Sequence, residues 1–336
     1  MQRMITVAVD VMGGDNAPIE IIKGAVLAVN KKNNIKVILV GPEDIIIKEL
    51  ANNEYNKNQI DIVDAQEIIT NNDAPVMAIR RKKNSSIVKA LNLVKNNDAD
   101  AFVSAGSTGA ILAGGQLIVG RIKGVERPPL TPVIPTINGL VLLADCGANV
   151  DARPSHLVQF AKMGSIYMEN IMGIKNPRVA IVNIGEEEEK GNALVKETFP
   201  LLKNATNINF TGSIEARDIP MGAADVVVCD AFVGNVILKL YEGVGSAIIK
   251  TIKEGLMSTT RSKLGALLSK PALKETLKSF DYSKYGGAPL LGLNGLVVVT
   301  HGDSEDKQIC NAILQCVAFT EQKINHKIKE NLTNEE

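Results

Sequence analysis

The sequence predicts an α/β protein in which a mostly parallel sheet is flanked by helices. Two observations carry that prediction. Short apolar runs alternate with segments of helical apolar spacing along most of the chain, the pattern of strand–helix–strand units with right-handed crossovers. Six of the runs also end in small and polar residues, at 9–15, 103–109, 144–151, 182–186, 229–235 and 299–304. Ligands of open α/β sheets bind beyond the carboxyl ends of the strands. The six ends therefore describe one crevice lined by glycines, hydroxyls, amides and a few charges, which suits a small anion.

The elements follow in order. Residues 5–10 read as the first strand, and Pro18 opens a helix through Val29, proline being pre-set for a first helical turn. Residues 36–40 are a short buried strand closed by Gly41 and Pro42, and 61–63 a third. Residues 75–83 start a helix carrying the basic run Arg80, Arg81, Lys82 and Lys83. A strand over 101–104 leads into a small-residue helix over 108–118, and 140–144 is another strand. Ser155 is the expected N-cap of a helix through Met172. Strands at 178–184, 208–210 and 225–230 alternate with helices at 192–202 and from Val233. The last strand, 296–300, precedes a terminal amphipathic helix from Glu305 to about Lys329. The segment 245–285 breaks the rhythm. Ile248, Ile249, Ile252 and Leu256 recur at helical spacing, and the segment reads as a protruding helical hairpin. Its apolar tip holds Leu264, Leu267 and Leu268 between Arg261, Lys263, Lys270 and Lys274, a pattern that suits a dimer contact, a membrane surface or a protein-binding face.

Composition narrows the function. The 336 residues suffice for one catalytic α/β domain, built as a single unit or as two lobes. With 45% hydrophobic residues, 4% aromatic and no Trp, aliphatic packing dominates the core. Lys plus Arg (37) equals Asp plus Glu (37), so no overall field recruits nucleic acid. Cys146, Cys229, Cys310 and Cys316 form no Cys-x-x-Cys pair, which fits a reducing cytoplasm. The chain enters a strand almost at once without a signal-peptide pattern, and no apolar stretch is expected to span a bilayer.

Residues 104–109, Ser-Ala-Gly-Ser-Thr-Gly, are the strongest phosphate candidate. Glycines admit the ligand close to the backbone, N–H groups at a helix start point at it, and Ser107 and Thr108 add hydroxyls. A plain helix cap fits the same residues. The loop is neither a Walker loop nor a Gly-x-Gly-x-x-Gly fingerprint. Nucleophile motifs fail, because Ala105 stands where Gly-x-Ser-x-Gly needs glycine. Of three histidines, His301 alone ends a strand beside Gly302, Asp303 and Ser304. His156 reads as a cap or surface group, and His326 as a solvated residue of the terminal helix. Asp10, Asp15, Asp145, Asp151 and Asp230 stand at strand ends, where caps and loop hydrogen bonds account for them better than a magnesium site. Lys190 offers a point charge for an oxyanion or phosphate, and Asn235 an amide donor; on these residues alone a surface lysine and a helix-capping asparagine fit better.

Seven segments together resemble the phosphate acyltransferases of bacterial phospholipid synthesis, the PlsX family. They are 9–18, 75–86, 103–110, 145–151, 183–192, 229–235 and 285–292. Ala231 stands where that family carries glycine. The resemblance covers nearly the whole chain. It implies a fold related to phosphotransacetylase and isopropylmalate dehydrogenase, a homodimer, and peripheral association with the cytoplasmic face of the membrane. It also implies a reaction in which inorganic phosphate attacks the thioester of a long-chain acyl group on acyl carrier protein, with no metal or nicotinamide cofactor. On that reading Lys190 and Asn235 stabilise the carbonyl and phosphate. Ser104, Gly106, Ser107 and Thr108 cradle phosphate, with His301 and Ser304 nearby. Leu264, Leu267 and Leu268 touch membrane, and Arg80, Arg81, Arg261 and Lys263 meet the acidic carrier protein. A short-chain phosphotransacetylase using coenzyme A and a membrane-recruited, non-enzymatic scaffold are the competing readings.

Overall fold

The computed structural model describes residues 3–279 and 286–333. Its elements begin β1 (Ile5–Asp10), α1 (Ile19–Lys31), β2 (Ile35–Gly41), α2 (Glu43–Leu50), β3 (Ile60–Asp64), α3 (Pro75–Arg81), α4 (Ser86–Lys95), β4 (Ala101–Ser104) and α5 (Thr108–Gly114). There follow β5 (Val133–Thr136), β6 (Gly139–Ala144), α6 (Pro154–Asn170), β7 (Arg178–Val182), α7 (Ala193–Asn204), β8 (Asn209–Ile214) and β9 (Val226–Val228). The chain closes with α8 (Ala231–Met257), α9 (Thr260–Ser279), β10 (Ala288–Leu290), β11 (Leu296–Val299), α10 (Asp306–Glu321) and α11 (Ile324–Thr333).

The strands make two sheets. One has the order β10-β11-β4-β1-β2-β3, the other β5-β6-β9-β7-β8. All pairings are parallel except β10 on β11 and β5 on β6. The α/β, mostly parallel prediction holds; the division into two sheets is a feature that strand periodicity does not carry. Both antiparallel strands lie at an edge and contain a proline, Pro135 or Pro289. Proline has no N–H for a second ladder, so an edge is where it fits.

The two sheets are joined by hydrogen bonds and by core. Thr131 donates from N (3.0 Å) and from Oγ1 (2.9 Å) to the Pro289 carbonyl. Leu291 N, just past β10, donates to the Pro129 carbonyl at 3.2 Å. One apolar cluster runs from Val7 and Val103 through Phe160 and Tyr167 of α6 to Leu142 and Val226 of the second sheet. Each such buried side chain contributes roughly 1.5–3 kcal/mol. The phenol of the fully buried Tyr167 accepts from Gln315 Nε2 at 2.8 Å, so its burial leaves no orphaned hydroxyl.

Several boundaries differ from expectation. Helix α6 starts at Pro154 with Arg153 as its cap rather than Ser155, and His156 Nδ1 accepts from Arg153 N at 3.0 Å. His156 is thus a buried capping residue. Strand β8 continues past Phe210 because the pairing shifts register beside Gly212, whose φ of +108° suits glycine. The terminal helix is two helices, parted where Lys323 adopts a φ of +53°.

Helix α8 is one continuous helix from Ala231, so the hairpin it forms with α9 begins well before residue 245. The last predicted hairpin residues, 280–285, lie outside the described residues. By length and composition α8 is long and apolar enough to cross a membrane, which corrects the expectation that no stretch would be. Its first turn is nonetheless built into the second sheet. Asp230 Oδ1 accepts from Val233 N at 2.9 Å, and Ala231 N donates to the Asn149 carbonyl at 3.0 Å.

Candidate functional site

The carboxyl ends of β1, β4 and β11 form one wall of the site. Asp10 is fully buried at the end of β1 and accepts from Ser104 Oγ at 2.6 Å. Burial pushes its carboxyl above the ordinary aspartate range, against hydrogen bonds from Ser104, Ser86 and Met12 that pull it down. Ser104 Oγ in turn accepts from Gly106 N at 2.9 Å. The predicted phosphate residue Ser104 is therefore buried and engaged with its own loop, and one loop amide is already taken. Gly13 lies against this knot: a Cβ there would fall 2.7 Å from Gly106 N and 2.8 Å from Ser104 Oγ. Only glycine lets the two loops approach so closely. The loop after β11 is tied in by Asp15 N to the Gly302 carbonyl (2.7 Å) and by Asn16 Nδ2 to the Asp303 carbonyl (2.8 Å). His301 Nδ1 is 2.6 Å from Asp303 Oδ1.

Ser107 is the N-cap of α5, yet its side chain makes no cap hydrogen bond. Thr108 is exposed on the first turn. Among the described residues neither hydroxyl makes a hydrogen bond, unlike that of Ser104.

The second wall comes from segments after β6, β8 and β9. Asp145 accepts from the backbone N–H groups of Leu130, Gly147, Ala148 and Asn149 and from Asn149 Nδ2. Burial raises its carboxyl above the ordinary range, opposed by these donors. Asp145 and Asp230 serve as loop organiser and helix cap, as the sequence favours. Because Asp230 caps α8, Asn235 has no capping role; it lies exposed one turn into the helix, with no hydrogen-bond partner for its amide among the described residues.

A cavity of about 980 Å³ opens between these walls. It brings together Thr108, Asn235, His301 and Ser304 of the predicted site, and its far side runs along α8 past Leu238 and Gly245 to Ile252. Ser104, Gly106, Ser107 and Lys190 do not line it. Lys190 lies in the loop before the α7 cap, Asn192, rather than on a helix. Its Nζ pairs with Glu187 at 2.8 Å, and that carboxylate holds the ammonium above its ordinary range, with a smaller contribution from Glu215. Arg217, which sequence reasoning missed, does line the cavity and pairs with Glu215 at 2.5 Å. Cys146 also faces the cavity, but burial pushes its thiol well up, so no thiolate nucleophile is available there.

Comparisons with known proteins show the family and the fold. The family model described as "Fatty acid synthesis protein" matches residues 5–327. A phosphate acyltransferase of Clostridium novyi (strain NT) is 54% identical over 326 residues, 97% of this chain and 98% of that protein. The phosphate acyltransferase of Clostridium acetobutylicum is 52% identical over 326 residues, with the same coverage. This chain belongs to the phosphate acyltransferase family. A phosphotransacetylase from Streptococcus pyogenes superposes with a TM-score of 0.60 at 17% identity, and the EutD phosphotransacetylase from Staphylococcus aureus with 0.59 at 16%. Each covers 94% of both chains, and these likenesses bear out the predicted fold.

Within this family member the predicted contact residues fall on two surfaces. Leu264, Leu267 and Leu268 are 61%, 66% and 77% exposed on α9, beside exposed Arg261 and Lys263. Arg80 and Arg81 are exposed on α3, which packs on α5 beside the phosphate candidate loop. Ala231 is buried at the first position of α8.

Proposed function

We propose that this enzyme transfers a long-chain acyl group from acyl carrier protein to inorganic phosphate. A phosphate oxygen attacks the thioester carbon and the C–S bond breaks. The products are acyl phosphate and the carrier thiol, which takes up the proton. The observation that carries the reading is the continuity of the cavity: a polar end at Thr108, Asn235, His301 and Ser304 opens into an apolar groove along α8. A reaction between a dianion and a fatty thioester needs both halves.

The roles follow from position. Thr108 and the loop N–H groups hold phosphate, assisted by His301 and Ser304, with Ser107 behind them at the start of α5; Ser104 and Gly106 shape the loop through Asp10. Asn235 donates to the developing oxyanion, a contribution of the order of 3–4 kcal/mol where such donors have been removed. Lys190 reaches the phosphate by exchanging Glu187 for it, because a solvent-exposed ion pair holds its partners weakly. Holding both reactants in one cavity supplies much of the remaining acceleration. No side chain carries the acyl group.

The finer expectations belong to this reading. The carrier protein meets Arg80, Arg81, Arg261 and Lys263. The leucines of α9 rest on the cytoplasmic face of the membrane, where the amphiphilic product is delivered. The enzyme works as a homodimer and as one catalytic unit. The experiment compares palmitoyl–carrier protein with acetyl-coenzyme A, each with and without phosphate. Phosphate-dependent thiol release from the carrier protein alone supports the proposal. Turnover of acetyl-coenzyme A alone supports a short-chain phosphotransacetylase, the reading that the fold likeness favours but the large apolar groove does not. Release of neither thiol supports a scaffold.

A further inference from the structure

Two carboxylate–cation pairs stand side by side beyond β7 and β8, which run in parallel register up to Val182 and Ile214. Asn183 Nδ2 ties the two exits together, donating to the Lys190 carbonyl at 3.1 Å and to Ser213 Oγ at 3.3 Å. In the first pair Lys190 meets Glu187. In the second Arg217 meets Glu215 at 2.5 Å, and the charge of Glu215 is also felt at Lys190. The members of the second pair are held unequally. The Glu215 carboxylate caps the short helix Ala216–Met221 by accepting from the Asp218 backbone N–H, while the Arg217 side chain is 81% exposed. Arg217 lines the cavity and Glu215 does not. Lys239, the other lysine or arginine among the described lining residues, pairs at 2.9 Å with Glu242, which lines the cavity too. Arg217 therefore brings to the cavity wall a positive charge whose counter-ion is not part of that wall.

We propose that Arg217 binds a phosphate group in this cavity, exchanging Glu215 for it. The proposal deepens the acyl-transfer reading and rests on it. An exposed ion pair holds its partners weakly, so an arriving phosphate oxyanion can displace the carboxylate. The planar guanidinium fork matches two phosphate oxygens at once, which the point charge of a lysine does not. The reaction brings two such groups. One is inorganic phosphate, and the other is the phosphodiester that joins the pantetheine arm to its carrier protein. Both present unesterified oxygens on tetrahedral phosphorus, the chemistry that Arg217 recognises. Glu215 tunes that recognition, because its anchored carboxylate competes for the same fork.

The test is Arg217→Ala in the full chain. The KM for the group that Arg217 holds should rise at least about tenfold, as expected for a lost hydrogen-bonded charge, with a smaller change in kcat. A rise confined to inorganic phosphate assigns the nucleophile. A rise seen with palmitoyl–carrier protein and palmitoyl-phosphopantetheine, but absent with palmitoyl-pantetheine, assigns the phosphate of the arm. Glu215→Gln, whose amide oxygen keeps the cap, should lower the same KM severalfold. Loss of affinity in both variants would mark the pair as structural and overturn the proposal. Lys36→Ala, which breaks an exposed pair with Asp61 away from the cavity lining, should leave every KM unchanged. Inorganic phosphate and phosphopantetheine, titrated calorimetrically into the same proteins, read the site without turnover. Affinity lost in Arg217→Ala supports the proposal even if the wild type transfers no acyl group, the result that would refute the catalytic reading alone. Unchanged KM values and unchanged affinities in Arg217→Ala overturn it.

Discussion

Gly234→Ala tests how the second sheet aims the Asn235 amide, the proposed oxyanion donor. Gly234 is buried on the first turn of α8, immediately before Asn235. A Cβ there would collide with the Asp145 carbonyl oxygen, 2.9 Å from its carbon, and would lie 3.0 Å from Cys229 Sγ. The obstacle is backbone, held by a carboxylate that binds its own loop, so no rotamer change relieves it. Ordinary contact begins near 3.4 Å. The helix start must therefore move by at least about half an ångström against the carbon, and further to clear the oxygen. Overpacking of this kind costs about 1–3 kcal/mol, more than the roughly 0.5–1 kcal/mol that replacing a helical glycine returns. The same movement shifts Asn235 away from the thioester carbonyl, and a misplacement of about 1 Å costs on the order of 100-fold in rate. Urea denaturation and phosphate-dependent thiol release from palmitoyl–carrier protein measure the two effects. Gly243→Ala, where a Cβ meets nothing within 4 Å, is the control and should be neutral or slightly stabilising. Wild-type stability and rate in Gly234→Ala would refute the argument that this close approach positions the site.

Asn235→Ala should lower the rate by about 100- to 1,000-fold while moving the urea midpoint little, because the side chain is exposed and caps nothing; a wild-type rate removes it from the site. Asp10→Asn should show a distinct pH dependence. The folded-state carboxyl is raised, so as pH climbs past the unfolded value the unfolded chain gives up its proton first. Wild-type stability then falls relative to the variant by at most about 1.4 kcal/mol per pH unit, levelling off above the folded value. Urea midpoints for both proteins between about pH 4 and about pH 7 check this, and parallel curves would show that Asp10 does not titrate with folding. Leu264→Glu with Leu268→Glu should weaken sedimentation with anionic liposomes at least tenfold; unchanged binding removes α9 from the membrane surface.

The parts that sequence exposes are those set by local pattern. Buried parallel strands such as β1, β4 and β11 announce themselves as aliphatic runs, and their polar ends mark the crevice. Strands β5 and β10 escape notice because each is short and carries a proline that normally argues against a strand; their edge places make the missing N–H harmless. Pairing into two sheets depends on contacts distant in sequence, which no window of residues contains. At the candidate site, Thr108, Asn235, His301 and Ser304 line one cavity. Ser104 does not face the cavity, since its hydroxyl is committed to Asp10, a tertiary contact between β1 and β4. Lys190 stays outside because Glu187, three residues earlier, captures it; the acidic run at 186–189 was the available signal. Arg217 was missed because Gly212 looks like the end of β8, which hides the turn that follows it.

The central claim is that phosphate performs the displacement itself. Intact-protein mass spectrometry on samples quenched during turnover of palmitoyl–carrier protein tests it most directly. The account predicts unmodified protein while palmitoyl phosphate accumulates. A palmitoylated protein species that forms without phosphate and disappears when phosphate is added would contradict it.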